Sequence, residues 1–270
     1  MNALDFKYDG TYLSDFGCII CTFDSADPEE ISVGSQITFN TTSISHGKKF
    51  MNASSQYDTC IETEFEICKD PDAICDVEDK YFSLEEQRAI TRWLNRNSFL
   101  KFALVDEGYE NIYFEASFNV QKIELAGKVI GMKLSVVTNR PFALCEPITH
   151  KFNIAAANGV YTIYDESDEI GFLYADIEIT CNQSGDLIIT NELEHRTTEI
   201  LNCKKGEVIT IKNMIIESSS DSHSAKNIMN DFNFNFLHIV NTFDDRRNKF
   251  TFSLPCSVVL TYSPVRKVGV

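Results

Sequence analysis

The sequence predicts a mainly β protein of two domains, in which one helix accompanies the first set of strands. Apolar residues alternate with polar ones in many short segments, which is the pattern of a strand with one buried face. One segment, beginning at Ser83, combines the 3.6-residue period of an amphipathic helix with a start signal. At 270 residues the chain has the length expected of two domains.

The helix is predicted by a capping box, Ser83–Glu86, in which a hydroxyl and a glutamate bond each other's backbone amides. Ile90, Trp93 and Leu94 then share one face. Trp93, the only tryptophan of the chain, should lie where this helix contacts a sheet.

Two strands should follow the helix. Every second residue is apolar from Ile112 to Val120 and again from Ile130 to Val136. Gly127 lies in the short connection between them, which favours an antiparallel hairpin.

Of two segments before the helix, one is predicted to be a strand and the other an irregular connection. Residues 61–67 alternate apolar residues with Glu62, Glu64 and Glu66, which predicts a strand with a solvated, acidic face. The segment 43–56 is polar and weakly patterned, so we expect a long, mobile connection there.

A domain boundary is expected near Glu146, because Pro141 and Pro147 both interrupt strand pairing. The predicted domains are therefore residues 1–146 and 147–270. Many short, evenly spaced strands after the boundary predict a β-sandwich of jelly-roll type. These strands are expected at residues 160–164, 176–181, 186–191, 199–201, 207–211, 233–240, 250–254 and 257–262.

Charge and composition exclude several functions. The formal charge of −16 argues against stable nucleic-acid binding, which requires basic side chains to displace counterions from phosphates. No apolar run is long enough to span a membrane, so membrane insertion is not expected. With nine cysteines, an odd number, and no export signal, we expect reduced, buried thiols.

No motif of catalysis or cofactor binding is present, and we expect an enzyme activity, a cofactor and a metal to be absent. The acidic run from Asp70 to Asp79 lacks the glycine and glutamate of a calcium loop, and the five histidines are scattered. Cys18 and Cys21 are three apart in a strand, so they should face opposite sides. The alternating run from Phe232 to His238 is interpreted as a core strand, with a sugar-stacking surface as the alternative.

The first part of the chain resembles the distal tail protein (Dit) family of long-tailed bacteriophages. The resemblance lies in the order and spacing of short motifs that together cover most of residues 1–144. These motifs are Phe6–Gly10, Ser14–Gly17, Trp93–Leu94, the strand Leu100–Asp106, Tyr113–Ala116 and Pro141–Ala143. The second part is similar to the galectin-like domain of the same family, through Gly206–Ile211 and Val258–Pro264.

The resemblance implies a fold and a structural role. The expected fold is an N-terminal β-sandwich or split-barrel-like domain with one α-helix, followed by a galectin-like (jelly-roll) β-sandwich. Members form a homo-hexameric ring at the end of the tail tube, with a hub protein below and adhesion or receptor-binding proteins docked on the C-terminal domain. The protein would therefore be assembled in the bacterial cytoplasm and reside at the tail tip of the virion.

Seven residues are predicted to support this structure or its interfaces. They are Trp93, Leu94, Pro141, Gly127, Glu62, Glu64 and Glu66. The loop at residues 43–56 and the hairpin around Gly127 are the expected contributors to the ring interface. The three glutamates could line a lumen that repels DNA during its passage. Two other functions stay open from the residues alone: a carbohydrate-binding module for host-surface adhesion, and a hydrolase with dispersed catalytic residues.

Overall fold

The structure is a computed structural model and describes residues 3–23, 36–43, 47, 50–57, 59–74, 76, 79–223 and 228–269. The chain divides into two compact units. Unit 1 comprises Met1–Cys145 and Arg266–Val270, and unit 2 comprises Glu146–Val265. Strands make up most of the regular structure in both units, so the predicted mainly β, two-domain fold is confirmed.

The described residues of unit 1 form one long helix, α1 (Leu84–Leu94), and ten strands. In chain order the strands are β1 (Asp5–Tyr8), β2 (Thr11–Tyr12), β3 (Cys18–Cys21), β4 (Ile37–Ser43), β5 (Phe50–Tyr57), β6 (Glu62–Lys69), β7 (Leu100–Val105), β8 (Ile112–Leu125), β9 (Lys128–Thr138) and β10 (Ala143–Cys145).

The main sheet of unit 1 curls strongly. Its antiparallel strands follow the order β2-β1-β7-β8-β9-β6-β3. In a flat sheet β1 and β6, four places apart, would be separated by about 19 Å, yet the ring centroids of Phe6 and Phe65 are 5.6 Å apart. The N–H of Ile20 on β3 donates to the carbonyl of Leu4, just before β1, at 2.9 Å. Unit 1 is thus a nearly closed barrel filled with aromatic rings.

Helix α1 begins as the sequence predicts. The amide of Glu86 donates to Ser83 Oγ at 3.3 Å, and the amide of Ser83 donates to Glu86 Oε2 at 2.7 Å. Ile90, Trp93 and Leu94 are buried in the core of the barrel. The predicted helix on a sheet, with the tryptophan at the contact, is confirmed by these contacts.

In the part of unit 2 that the structure describes, eleven strands lie wholly within the unit, together with a short helix, α2 (Ile228–Asp231). The strands are β11 (Ile148–Ile154), β12 (Gly159–Tyr164), β13 (Gly171–Tyr174), β14 (Asp176–Cys181), β15 (Gly185–Asn191), β16 (Arg196–Cys203), β17 (Val208–Lys212), β18 (Ile215–Ser218), β19 (His238–Asn241), β20 (Arg247–Phe252) and β21 (Cys256–Tyr262). A last strand, β22 (Val265–Arg266), follows them.

Two sheets form unit 2, as the sequence predicts for a β-sandwich. One has the order β11-β21-β14-β17-β18 and the other β12-β20-β15-β16, while β13 and β19 pair separately. Ile179 and Val258 from the first sheet share one apolar core with Ile189 and Phe250 from the second. Buried side chains alternate with more exposed ones along β14, β15, β17, β20 and β21, which explains why these strands could be predicted from the sequence.

The expectation of a mobile connection at residues 43–56 is wrong for the part that the structure describes. Strands β4 and β5 pair in antiparallel register, from Ile37 with Tyr57 to Ser43 with Phe50. Residues 44–46, 48 and 49 lie outside the described part of the chain. The sequence shows no clear strand pattern here because few side chains of this hairpin are buried. Apolar and polar residues alternate in a sequence only where one face of a strand is buried.

The predicted strand over residues 233–240 is also wrong in its first half. Helix α2 and an irregular segment precede β19, which begins only at His238. Phe232 is buried (3% exposed), whereas Phe234 is 59% exposed and has a φ of 58°. The alternating aromatic residues therefore do not form a flat ribbon, and the sugar-stacking surface proposed there loses its geometric basis.

The end of the chain returns to unit 1. Val268 packs against the aromatic core of the barrel, and the hydroxyl of Tyr109 donates to the carbonyl of Gly269 at 2.9 Å. From the sequence alone, residues 147–270 are expected to form a single domain. The return depends on a tertiary contact 160 residues apart in the chain, which no local pattern can reveal.

Candidate interaction surfaces

Trp93 and Leu94 lie inside unit 1, so their contribution is to the barrel and not to a surface. The indole of Trp93 stacks on Phe6 with ring centroids 5.5 Å apart and on Phe16 at 4.6 Å. Its Nε1–H donates to the carbonyl of Tyr8 at 3.0 Å. The side chain thus fixes helix α1 to β1 by both packing and a buried hydrogen bond.

Gly127 lies at the tip of the hairpin that joins β8 and β9. Leu125 pairs with Lys128, and the two turn residues have positive φ values, 52° for Ala126 and 78° for Gly127. Two residues with positive φ are the requirement of a type I′ turn. The side chain of Leu125 is exposed, so this tip presents an apolar group to solvent.

Pro141 lies in the bend between β9 and β10. Thr138 supports this bend, because its Oγ1 accepts the N–H of Ile61 at 3.0 Å and donates to the carbonyl of Arg140 at 2.6 Å. The neighbouring Phe142 meets the ring of Tyr57 edge-on at 6.2 Å. Pro141 is therefore next to the base of the β4–β5 hairpin.

The three glutamates of β6 differ in their surroundings. Glu64 forms an ion pair with Lys133 at 2.5 Å and accepts a hydrogen bond from Ser135 Oγ at 2.8 Å. These hydrogen bonds, first that of Lys133, lower the pKa of Glu64. Glu66 accepts the N–H of Phe23 at 2.8 Å, whereas Glu62 is exposed. The acidic face is therefore partly neutralised by the adjacent strand β9.

The β4–β5 hairpin, which we call the arm, is a separate two-stranded sheet. Ile37, Phe39 and Met51 expose 45%, 60% and 57% of their surface. Neither strand contains a charged residue. An isolated hairpin is at best marginally stable in water, and uncharged edge strands readily pair with other chains. The arm is thus the surface of unit 1 with the strongest tendency to be covered.

A cleft of about 650 Å³ lies along the outer face of α1. It is lined by Leu84, Arg88 and Arg92 from successive turns of the helix and by Lys122 from β8. Glu85 is the carboxylate in this lining. Arg88 and Arg92 are four residues apart and so lie on one face of the helix. We call this surface the basic cleft.

A buried polar cluster lies in unit 2. His223 Nδ1 is 2.6 Å from Glu207 Oε1, and His223 Nε2 is 3.1 Å from Asp231 Oδ2. The side chains of His223 and Glu207 are 1% and 0% exposed. Burial lowers the pKa of His223, but the hydrogen bond and charge of Glu207 outweigh it and raise the pKa overall. With solvent excluded from both groups, the cluster suits a structural ion pair and not a catalytic base.

An exposed aromatic pair lies elsewhere on unit 2. The rings of Phe172 and Tyr174 on β13 cover His238, with centroids 4.7 Å and 5.5 Å from it. His238 Nε2 is 2.7 Å from Glu194 Oε2. Within the described residues, His238 Nδ1 and Arg196 Nε are buried without a hydrogen-bond partner.

Each cysteine that the structure describes is free, but the expectation of buried thiols holds only for Cys18, Cys181, Cys203 and Cys256, since the other four described cysteines are partly exposed. Burial raises the pKa of Cys18 and that of Cys256 to about 12, so both remain protonated. Cys18 is buried and Cys21 only partly so, as expected for opposite faces of a strand. Over the same described ranges, no cluster of three or more potential ligands could hold a metal ion. In the described chain, no helix is both long and apolar enough to cross a membrane.

The basic cleft was not predicted, and the arm was expected to contribute to an interface only as a loop at residues 43–56. The arm leaves only a weak signal in the sequence, the alternation of Ile37 and Phe39 with Thr38 and Asn40. The basic cleft could have been suspected from the spacing of Arg88 and Arg92, but Lys122 joins it only through tertiary packing of α1 beside β8. The predicted site residues are not gathered at one place: two are in the core and five lie on turns or strand faces.

Comparison with known proteins places this mainly β, two-unit chain among the structural components of phage tails. A family described as the phage tail protein N-terminal domain matches residues 1–140, and one described as the phage tail C-terminal domain matches residues 142–262. The chain therefore belongs to the phage tail protein family and is a component of the virion. A search of the curated proteins finds no match.

The fold is similar to a solved phage structure over nearly its whole length. The crystal structure of Dit (gp 19.1) of phage SPP1, described as a paradigm of the hub adsorption apparatus in phages that infect Gram-positive bacteria, superposes with a TM-score of 0.63. The match covers 97% of this chain and 99% of that one at 10% sequence identity. The predicted resemblance to Dit is thus confirmed at the level of fold.

Proposed function

We propose that this phage tail protein is a distal tail protein, which forms a hexameric ring through unit 1 at the end of the tail tube. The ring would join the tube protein above to the hub protein below. Support comes from the phage tail family and from a Dit-like fold that extends over both units. Such a ring is built by repeating one head-to-tail contact until it closes.

The arm is the observation that carries this proposal. Its apolar side chains, Ile37, Phe39 and Met51, would be buried by a neighbouring copy in the ring. Among the described residues β4 and β5 pair with no third strand, and their outer edges would at the same time find hydrogen-bond partners on the neighbour. A projecting hairpin that reaches one neighbour is a directional, heterologous contact, as a closed ring requires.

The remaining parts of the proposal concern the other partners. Unit 2 would dock adhesion or receptor-binding proteins outside the ring, and assembly would take place in the bacterial cytoplasm. The opening of the ring would pass DNA, and a chain with a formal charge of −16 would not hold the phosphates. Glu62 and Glu64 of β6 are both exposed, but Glu64 is paired with Lys133, so Glu62 best fits such a lining.

The test is the state of assembly of the purified chain and of an arm variant. Light scattering should give the mass of six chains of 30.6 kDa, and negative-stain images should show annuli. The double substitution Phe39→Ser and Met51→Ser should yield single chains with an unchanged circular dichroism spectrum, because both side chains are exposed.

A matched control places the same change on unit 2. Val160→Ser with Ile215→Ser removes similarly exposed apolar groups and should leave the ring intact. The proposal is wrong if the unmodified chain stays monomeric at tens of micromolar, both alone and mixed with the tail tube protein.

A further inference from the structure

The basic cleft has no counter-charge that balances it. Arg88, Arg92 and Lys122 are exposed, and within the described part of the chain none of them has a carboxylate at ion-pair distance. Leu84 adds an exposed apolar side chain at one end of the cleft. In a chain with a formal charge of −16, a cleft with three cations and one carboxylate is an exception. Its chemistry fits an acidic protein surface.

A turn of opposite charge lies in the same unit. The turn between β7 and β8 contains three carboxylates, those of Asp106, Glu107 and Glu110. Asp106 Oδ1 accepts the N–H of Glu107 at 2.8 Å, and Glu110 Oε2 accepts the N–H of Gly108 at 3.0 Å. Tyr109 fixes the turn to the carbonyl of Gly269. These hydrogen bonds hold the turn in one conformation, and we call it the acidic turn.

One chain cannot join its own cleft to its own turn. The acidic turn directly precedes Ile112, the first residue of β8, whereas Lys122 lies ten residues further along that strand. At about 3.3 Å per residue, Ile112 and Lys122 are separated by roughly 33 Å along the strand. Two complementary patches held apart on one rigid unit can meet only between copies, and they then produce a head-to-tail contact.

We propose that in the assembled ring the basic cleft of each copy receives the acidic turn of the next copy. This inference rests on the proposed ring and adds a second contact to the one made by the arm. Arg88 and Arg92 would pair with Glu107 and Glu110, which are exposed. Because each exposed ion pair stabilises only weakly, the contact would set the register of neighbours and would weaken as salt increases.

Charge reversal on each side tests the contact. Chains with Arg88→Glu and Arg92→Glu should assemble at least about tenfold more weakly, and chains with Glu107→Lys and Glu110→Lys should do the same. An equimolar mixture of the two variants should recover rings, since every cleft then meets a turn of opposite charge. A six-membered ring can close by such alternation because its number of copies is even.

Controls separate this inference from the proposed function. Glu178→Lys with Glu217→Lys changes the charge by the same amount as the variant of the acidic turn, but at exposed positions of unit 2. This control should not affect assembly. Rings that form equally well from both reversed variants would overturn the cleft–turn contact and leave the proposed function standing. An unmodified chain that forms no ring would overturn both. Circular dichroism of each variant verifies folding.

Discussion

Trp93 shows how one side chain can hold two elements together. Its ring lies between Phe6 and Phe16, and its N–H reaches the backbone of β1 at Tyr8. The sequence indicated that this residue faces a sheet, because it shares a helix face with Ile90 and Leu94. Its partners on β1 and in the following turn could not be predicted, because they are about 80 residues away and depend on how the sheet curls.

Trp93→Ala should lower the free energy of unfolding of unit 1 by about 3–5 kcal/mol, since it leaves a cavity in an aromatic core. Trp93→Phe should cost less, about 1–3 kcal/mol, because it retains a ring but leaves the carbonyl of Tyr8 without its donor. Urea unfolding followed by circular dichroism measures both. Phe243→Ala, at an exposed position, serves as the control. A loss below about 1 kcal/mol for Trp93→Ala would contradict the role assigned to the ring.

Among the elements, the β8–β9 hairpin was predicted from its sequence in position and direction. Its turn type follows from two positive φ angles at Ala126 and Gly127. A Cβ added to Gly127 would meet no atom within 4 Å, so any penalty there comes from the backbone alone. Gly131, in β9, differs from Gly127. A Cβ at position 131 would lie only 2.8 Å from the carbonyl oxygen of Ile67, so any side chain there would clash with the backbone.

Replacing Gly127 should therefore depend on the backbone preference of the new residue. Gly127→Val should destabilise unit 1 by about 1–2 kcal/mol, whereas Gly127→Asn should cost only a few tenths, because asparagine tolerates the left-handed region. Thermal or urea unfolding provides the comparison. Equal losses for valine and asparagine would show that the turn does not require this conformation.

The cluster of His223 joins two short elements, α2 and the turn after β18, to β17. Its pH dependence has a definite sign. The pKa of His223 is raised from 6.5 in the folded protein. Protonated His223 therefore contributes fully to the stability of unit 2 below pH 6.5, and this contribution is lost as the pH rises through the folded pKa. Burial opposes ionisation of Glu207, but its hydrogen bonds, first that of Ser218, lower its pKa below 4.5, and that contribution is lost in acid. The stabilising contributions of His223 and Glu207 are therefore both present between pH 4.5 and 6.5.

Unit 2 should accordingly be more stable at pH 5.5 than at pH 8 through this cluster. His223→Gln should remove most of that difference, because glutamine cannot carry the charge. Urea midpoints from circular dichroism at the two pH values provide the measurement. His195→Asn, which removes an exposed histidine, should keep the difference. If His223→Gln retains the full difference in stability between pH 5.5 and pH 8, other groups cause the pH dependence.

At the scale of the whole molecule, the features that matter for assembly are those that the fold leaves unused. The arm is apolar and exposed, the basic cleft is uncompensated, and the acidic turn lies at the far end of β8. A monomer in water would gain nothing from these surfaces, whereas a ring could bury each of them against a neighbour. Their distribution on unit 1 agrees with the proposal that unit 1 forms the ring.

By itself the sequence determined the mainly β class, the capped helix with Trp93, the β8–β9 hairpin and most strands of the sandwich. Each of these is specified by residues close together in the chain, whose burial imposes a period of 2 or 3.6. Only the tertiary structure decided the closure of the barrel, the return of the chain end to unit 1, the pairing of Glu64 with Lys133 and the assembly of the basic cleft. These features depend on distant residues brought together by packing, and exposed surfaces such as the arm leave no burial period in the sequence.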